Sequence, residues 1–277
     1  MKKFLFLFLF ISLATGFIAA QEESEGIGLS TTLEFGIVDV NDSDAMYPYI
    51  YAGLEYEKSF ADGVTDLYLG LGYESGFLKD GGNIPMFLYF DFMVGLNIGI
   101  GNSSTLSFLF PFENTLDFTD GADLSGTFTP GIKYNLSLNA GDIYFQANLP
   151  FTYTDETFGL DFIAGWASSF GLGLEASAHT LFNPNVEFTG IGFLATYDVS
   201  IISVGLNVTI PIKMYNPYSF FDSDNGEGVA IIPGIAVSVL DWLSIYGNCT
   251  FSRIGGKIDG VKSGVGISFA VGLTFSF

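Results

Sequence analysis

Residues 264–277, which read GVGISFAVGLTFSF, decide the fold. Bulky apolar residues from Val265 to Phe277 take every second position, and Gly, Ser, Ala or Thr take the positions between them. Successive side chains of a β-strand point to opposite faces. This segment is therefore predicted to be a strand with one wholly apolar face and one face of small or polar side chains.

The same alternation recurs along the chain in segments separated by turn residues, a pattern typical of transmembrane β-barrels. It predicts fourteen strands, at 26–38, 47–58, 64–74, 86–100, 104–112, 123–138, 142–154, 157–168, 171–182, 187–197, 200–212, 228–240, 242–253 and 264–277. Twelve strands is the next best count and would turn two of these segments into loops. We expect an all-β fold with a single closed antiparallel sheet.

The lengths of the connections give a second indication of the same fold. With a periplasmic N-terminus, the predicted outer connections are 39–46, 75–85, 113–122, 155–156, 183–186, 213–227 and 254–263. The periplasmic connections are 59–63, 101–103, 139–141, 169–170, 198–199 and 241. Bacterial barrels have short periplasmic turns and longer outer loops. Five of the seven outer connections are longer than every periplasmic one, and the short exceptions, 155–156 and 183–186, leave the even strand count unchanged.

The composition favours a membrane environment. Of the 277 residues, 49% are hydrophobic and 14% are charged, whereas soluble domains carry about 25% charged residues. Beyond residue 20 no apolar run is long enough for a membrane-spanning helix. A closed β-barrel is the other structure that satisfies its backbone in hydrocarbon. A soluble sandwich is the alternative, but a bulky apolar face on nearly every strand fits a lipid-facing exterior better.

The N-terminal residues resemble a secretory signal peptide. Lys2 and Lys3 precede the apolar run 4–13, and small residues lead to Ala20 before Gln21. We expect cleavage after Ala20, which leaves residues 21–277 as one barrel domain. A retained anchor helix is the rival interpretation, and the short apolar segment argues against it.

The charge balance excludes one class of partner. Nine basic and 30 acidic residues give a net charge of −21. Removing the signal peptide removes two lysines, which leaves 7 basic residues and a net charge of −23 (7 − 30). Nucleic-acid binding requires basic patches and is therefore not expected. The single cysteine, Cys249, excludes an intrachain disulfide and a cysteine-based zinc site, and no cofactor is expected.

Taken together, the signal peptide, the alternating strands and the terminal Phe277 resemble the outer-membrane β-barrel superfamily of diderm bacteria, in particular porin-like barrels. The resemblance covers the whole mature chain but identifies no narrower family. It implies export to the outer membrane, contact with outer-membrane lipid and a monomer as the favoured state. It also implies that Phe277, at the end of the last strand, is a recognition signal for the barrel assembly machinery.

If the barrel is a channel, its inward face carries the function. Alternation places six carboxylates and one lysine on that face: Glu34, Glu55, Asp66, Asp91, Asp161, Glu175 and Lys133. Rings of carboxylates attract cations, so a wet lumen should be weakly cation-selective. The plainer interpretation is that these carboxylates are solvated or paired with backbone and loops. A register error of one residue would move each of them to the lipid face.

The width of the bore is bounded by the strand number and the inward side chains. Barrels of about eight strands are filled by side chains and those of sixteen to eighteen leave an aqueous channel, so fourteen strands should leave a pore. Inward glycines favour an open lumen. Inward aromatic residues, among them Tyr49, Tyr51, Tyr68 and Tyr144, either narrow the bore or line a path for an apolar solute.

The acidic loop 222–227 has a fragment of calcium-loop chemistry, since Asp222, Asp224 and Glu227 are closely spaced around Gly226. The remaining ligand spacing is missing, so a solvated acidic loop is the favoured interpretation and no metal site is predicted. The same outer loop contains aromatic residues and is a candidate surface for a partner protein.

Enzymatic function is not predicted. Barrel enzymes of the hydrolase type need a histidine with serine or carboxylate partners, and His179 is the sole histidine. Its neighbours Ala178 and Thr180 form no motif, and a partner would have to come from another strand.

The sequence therefore predicts a porin-like channel for ion transport and passive diffusion of small hydrophilic solutes, with a weak cation preference. Two alternatives stay open. One is a surface barrel that binds a host or partner protein through its acidic and aromatic outer loops. The other is a transporter of small apolar compounds.

Overall fold

A computed structural model describes residues 27–39, 46–60, 64–76, 85–119, 121–153, 157–183, 185–211, 228–254, 257–258, 261–262 and 265–277. The predicted signal peptide (residues 1–20) and the acidic-loop residues Asp222, Asp224 and Glu227 lie outside these ranges. None of the described residues belongs to a helix long and apolar enough to cross a membrane.

Eighteen strand segments make up the described structure. They are β1 (Ile27–Asp39), β2 (Met46–Ser59), β3 (Thr65–Gly76), β4 (Met86–Gly99), β5 (Ser104–Asp117), β6 (Asp123–Phe128), β7 (Gly131–Leu138), β8 (Gly141–Asn148), β9 (Phe151–Thr152), β10 (Thr157–Ser168), β11 (Leu172–Asn183), β12 (Asn185–Val199), β13 (Ile202–Pro211), β14 (Val229–Leu240), β15 (Leu243–Ile254), β16 (Lys257–Ile258), β17 (Val261–Lys262) and β18 (Gly266–Ser276).

Fourteen of these strands close into one antiparallel barrel. Segments β6 and β7 are one strand interrupted before Gly131, and β8 and β9 are one strand interrupted before Phe151. Pro130 and Pro150 stand in the two interruptions, where a residue without a backbone N–H cannot continue the ladder. Segments β16 and β17 form a separate two-stranded sheet, so 18 − 2 − 2 leaves fourteen. The predicted fold class and strand count are confirmed.

The first and last barrel strands close the sheet. Strand β18 pairs with β1 from Ser30 opposite Ser276 to Ile37 opposite Phe269. Beyond this ladder, the Phe277 N–H donates to the Leu29 carbonyl at 2.8 Å. Phe277 is therefore hydrogen-bonded across the seam, the β18–β1 pairing that closes the barrel.

Three predicted connections were too long or misplaced. The first half of the predicted outer loop 113–122 is strand, since β5 continues to Asp117 and pairs with β4 and β6 on its two sides. The predicted loop 183–186 shrinks because β11 ends at Asn183 and β12 begins at Asn185. Residues 198–199 belong to β12, and the turn lies at Ser200 and Ile201. In each case polar residues that resemble a loop are held in the sheet by their backbone pairing.

The short turns at one end of the barrel share a backbone feature. Gly101, Gly141, Gly171 and Ser200 have positive φ angles of 71°, 132°, 93° and 55°. Tight hairpins whose turn matches the twist of the strands need such angles. Glycine adopts them without steric cost, and Ser200 is the one non-glycine residue with positive φ among the described residues.

The exterior of the barrel is apolar. Phe35, Phe145, Phe162 and Val271 are between 53% and 59% exposed, although each lies in the middle of a strand. Among the described residues the buried hydrophobic side chains are only Leu29, Ala52 and Ala270. Soluble monomers rarely expose contiguous apolar patches of more than a few hundred Å², whereas here exposed apolar side chains recur along the barrel strands. The soluble sandwich is therefore excluded, and the exterior matches a hydrocarbon environment.

Aromatic residues border this apolar band at the end with the short turns. The rings of Trp242 and Phe275 stack with centroids 6.2 Å apart, and Trp166 meets Phe170 edge-on at 6.1 Å. Aromatic girdles of this kind mark the membrane–water interfaces of transmembrane barrels.

A lysine on the exterior tests whether Val271 faces hydrocarbon. We expect Val271→Lys to lower the free energy of folding into lipid vesicles by roughly 2–4 kcal/mol, because a charged group near the bilayer midplane loses its hydration. Thr250→Lys is the control, because Thr250 lies on the opposite face of the adjacent strand β15. Urea titration in vesicles measures both, and equal losses would contradict the assignment of faces.

Candidate functional site: the lumenal face of the barrel

The lumenal face is the side of the sheet opposite the exposed apolar residues. The strand register places all seven predicted pore residues on this side: Glu34, Glu55, Asp66, Asp91, Asp161, Glu175 and Lys133. For example, Glu34 lies opposite Gly272 while its neighbour Phe35 lies opposite Val271. The register also brings them into distinct groups that the sequence does not reveal.

In the first group, tyrosine hydroxyls donate hydrogen bonds to the carboxylates. Glu34 accepts one from Tyr49 at 2.6 Å and another from Tyr246 at 2.5 Å. Tyr144 donates to Glu175 in the same way, and Tyr89 donates to Glu74 at 3.2 Å. Three inward tyrosines, Tyr49, Tyr89 and Tyr144, are therefore polar partners of carboxylates. The sequence analysis missed Glu74 and Tyr246, although alternation along their strands marks both as inward.

These tyrosine rings lie flat against the wall because glycines stand beneath them. A Cβ atom on Gly272 would collide with the ring of Tyr246, and one on Gly165 would collide with the ring of Tyr144. The same relation joins Gly36 to Tyr49. Each glycine lies opposite its tyrosine on the neighbouring strand. The rings therefore cover the wall and do not cross the bore.

The second group contains Asp66 and the only lumenal lysine of the described residues. Asn97 donates to Asp66 at 2.5 Å and accepts from Ser107 at 2.7 Å. Lys133 lies opposite Ser107 in the register. Its ammonium nitrogen is 4.4 Å from the ring centroid of Tyr144, which is within cation–π range. Since that tyrosine is bonded to Glu175, the ring lies between the lysine and the carboxylate.

The third group contains the histidine. His179 and Asp161 are directly opposite each other on β11 and β10. Their Nδ1 and Oδ1 atoms are 3.0 Å apart, the one ion-pair contact among the described residues. The Oγ atom of Ser177 lies 3.1 Å from Nε2 of the same ring. The sequence analysis named Asp161 and His179 separately but missed Ser177 and the contact between the three.

The lumenal face is electrostatically one-sided. Besides the six predicted carboxylates, Glu74 and Glu113 lie on it, against Lys133 as the one lysine of the described lumenal residues. A cleft lined by one sign of charge raises the local concentration of the opposite ion. No group of three or more acidic, histidine or cysteine side chains in the described ranges is arranged to hold a metal ion.

The closed fourteen-stranded wall with an apolar exterior defines the class of the protein as a transmembrane β-barrel. Comparison with solved structures agrees on this fold. The chain matches CdiB from Acinetobacter baumannii at a TM-score of 0.50 and 8% identity, over 92% of this chain and 61% of that chain. It also matches the outer membrane protein Omp33 of the same organism, at a TM-score of 0.49 and 8% identity, over 91% of this chain and 98% of that one.

A triple mutant of Rhodopseudomonas blastica porin matches at a TM-score of 0.44 and 9% identity, over 91% of this chain and all of that chain. At these identities the likeness shows the fold alone, and this chain spans about three fifths of the length of CdiB. No protein-family model matches the sequence, and no curated protein matches it. The match to CdiB agrees with the predicted closed β-barrel at the level of the fold.

Gly272→Ala tests the flat seating of Tyr246. The added methyl group would displace the ring and its hydrogen bond to Glu34, so we expect a loss of roughly 1–3 kcal/mol of stability, typical of overpacking. Gly99→Ala is the matched control, because no atom lies within 4 Å of the new Cβ. Urea titrations in vesicles compare the two.

The same clash predicts a coupling between the two positions. In a Tyr246→Ala background, Gly272→Ala should cost little, since the obstructing ring is gone. An unchanged cost in that background would show that the glycine serves the backbone and not the ring.

Proposed function

We propose that this protein is a porin-like channel of a diderm outer membrane that passes small hydrophilic solutes and weakly prefers cations. The observation that carries the proposal is the combination of a closed wall with a carboxylate-rich lumenal face on which the tyrosine rings lie flat. Such a lumen offers water and cations a polar path through the barrel.

The tyrosine hydrogen bonds favour hydrophilic solutes over apolar ones. A path for apolar compounds needs aromatic surface without competing charge. Here the hydroxyl groups of Tyr49 and Tyr246 donate hydrogen bonds to Glu34, and that of Tyr144 donates to Glu175. A solute that slides along these rings meets a carboxylate at their hydroxyl ends, so we do not retain the transporter of apolar compounds as a candidate.

The location and assembly follow from the same proposal. The apolar exterior and its aromatic border fit a lipid bilayer, and the predicted signal peptide supports export. We further propose that the C-terminal strand with Phe277 is the segment that the barrel assembly machinery recognises, and that the barrel acts as a monomer.

Conductance tests the channel directly. The full sequence is expressed in a diderm bacterium, and the folded protein is purified from the outer membrane and added to a planar bilayer. We expect stepwise conductance and a reversal potential in a KCl gradient that favours potassium. A folded barrel that never conducts would contradict the channel and would support a surface protein that acts through its outer loops.

Lumenal charges should set the ion preference. A single charge about 10 Å from a monovalent ion in water contributes about 0.4 kcal/mol, roughly a twofold effect on local concentration. We therefore expect Asp91→Asn and Glu175→Gln each to lower the cation preference by roughly that factor. Lys133→Gln should raise it. Asp241→Asn, in the exposed turn after β14, removes the same charge outside the lumen and serves as the control.

Salt should remove these differences. The Debye length falls from about 10 Å at 0.1 M to about 3 Å at 1 M salt. We expect the variants to differ in reversal potential at 0.1 M KCl and to converge at 1 M KCl. A difference that survives at high salt would point to a change in pore shape and not in charge.

A further inference from the structure

Three side chains on the lumenal face stand in an order that the channel function does not use. Asp161 Oδ1 lies 3.0 Å from His179 Nδ1, and His179 Nε2 lies 3.1 Å from Ser177 Oγ. Ser177 and His179 are two residues apart on β11 and therefore share a face. A carboxylate, an imidazole and a serine hydroxyl linked in this order through the two ring nitrogens form a Ser–His–Asp triad, which is recognised by geometry and not by sequence position.

We propose that Ser177, His179 and Asp161 form a nucleophilic site in the barrel lumen that hydrolyses small carboxylic esters. Ser177 is the nucleophile, His179 the general base and acid, and Asp161 the group that orients the imidazole. The proposal adds an activity to the barrel and does not depend on its conducting ions.

The hydrogen-bond order sets the protonation that the reaction needs. With Asp161 accepting from the Nδ1–H group, the neutral imidazole presents an unprotonated Nε2 to the serine hydroxyl. The exposure of the side chains supports these roles, since Asp161 is 19% exposed and His179 is 40% exposed. The orienting carboxylate is shielded, and the base faces the open lumen.

Glycine at position 192 leaves room at the reacting atoms. Gly192 lies opposite Ser177 on β12. A Cβ there would collide with Ser177 Oγ and would lie 3.9 Å from His179 Nε2. On the other side Ser177 lies opposite Ile163 of β10, which offers apolar surface to an acyl chain. A β-bulge also interrupts the β11–β12 ladder just after His179, and bulges are over-represented beside active sites.

The reaction balances with water as the second substrate. Ser177 Oγ attacks the ester carbonyl carbon while its proton passes to His179 Nε2. Collapse of the tetrahedral intermediate breaks the bond to the leaving alcohol, which takes that proton and departs, so that Ser177 is left acylated. Water then attacks the acyl carbon and gives a proton to Nε2. The bond to Oγ breaks, Oγ recovers the proton, and the carboxylic acid leaves.

The surroundings select the charge of the ester. Glu175 lies four residues before His179 on the same face of β11, and Asp161 belongs to the site itself. Two carboxylates disfavour an anionic ester and tolerate a neutral or cationic one. Short neutral esters are therefore the appropriate probes.

A fluorophosphonate probe and p-nitrophenyl butyrate test the proposal on the full-length expressed protein, purified in its folded form in detergent. We expect the probe to label Ser177, as located by peptide mass spectrometry, and the ester to be cleaved faster than in buffer. Ser177→Ala should abolish both signals. His179→Gln and Asp161→Asn should lower the rate of hydrolysis by about 100-fold or more, since general acid–base catalysis contributes at least that factor.

Ser244→Ala is the matched control, because Ser244 is a lumenal serine that lies 3.2 Å from the hydroxyl of Ser238 and has no imidazole partner. Circular dichroism verifies the fold of each variant. If Ser177→Ala does not fold, the rates of His179→Gln and Asp161→Asn test the proposal instead.

A wild-type protein that takes no label or cleaves the ester at the buffer rate would overturn the proposal. Labelling or cleavage that persists in a folded Ser177→Ala protein would do the same. Labelling and ester cleavage do not require the barrel to conduct ions, so their outcome is independent of the channel function.

Discussion

The pairing of every backbone N–H and C=O group within the sheet is the constraint on which the rest of this structure depends. Hydrocarbon supplies no hydrogen-bond partner, so a membrane-spanning sheet has to close on itself. The seam between β18 and β1 meets this requirement with a continuous ladder that ends at Phe277 and Leu29. The breaks in strand pairing at Pro130 and Pro150 are short, because pairing resumes at the residue after each proline. Few backbone groups are therefore left without a partner in the sheet.

Closure in turn dictates what the lumen can hold. Once fourteen strands form a ring, every second side chain of each strand points to a shared interior, and bulky groups would crowd it. The wall resolves this crowding by pairing large residues with glycine on the neighbouring strand, as in Tyr246 over Gly272 and Tyr144 over Gly165. Each ring crosses the strand that carries its glycine. Its hydroxyl group then donates a hydrogen bond to a carboxylate on the strand beyond, Glu34 for Tyr246 and Glu175 for Tyr144. The same arrangement that lays the rings against the wall thus also orders the charged groups.

The sequence predicts the faces of the strands well and the contacts between strands poorly. Alternation is a local property, so the assignment of Glu34 or Asp91 to one face needs only the period of two. Loop boundaries are harder, because residues such as those at 113–117 are polar yet paired on both sides. The partners of His179 depend on the register between β10 and β11, which no single strand encodes. The spacing of Ser177 and His179 along β11 could be noticed in the sequence. The spacing becomes informative only once Asp161 is known to lie opposite His179.

The position of His179 shows how a barrel wall can bring polar side chains from two strands into contact. A β-barrel fixes each lumenal side chain through a rigid ladder, which positions residues more accurately than a loop does. The histidine reaches a serine two positions away on its own strand and an aspartate directly opposite on the next strand. A serine, a histidine and an aspartate that fall on these three points are therefore held in register by the same backbone bonds that close the barrel. An ester small enough to enter the lumen would meet the imidazole of His179, which is 40% exposed.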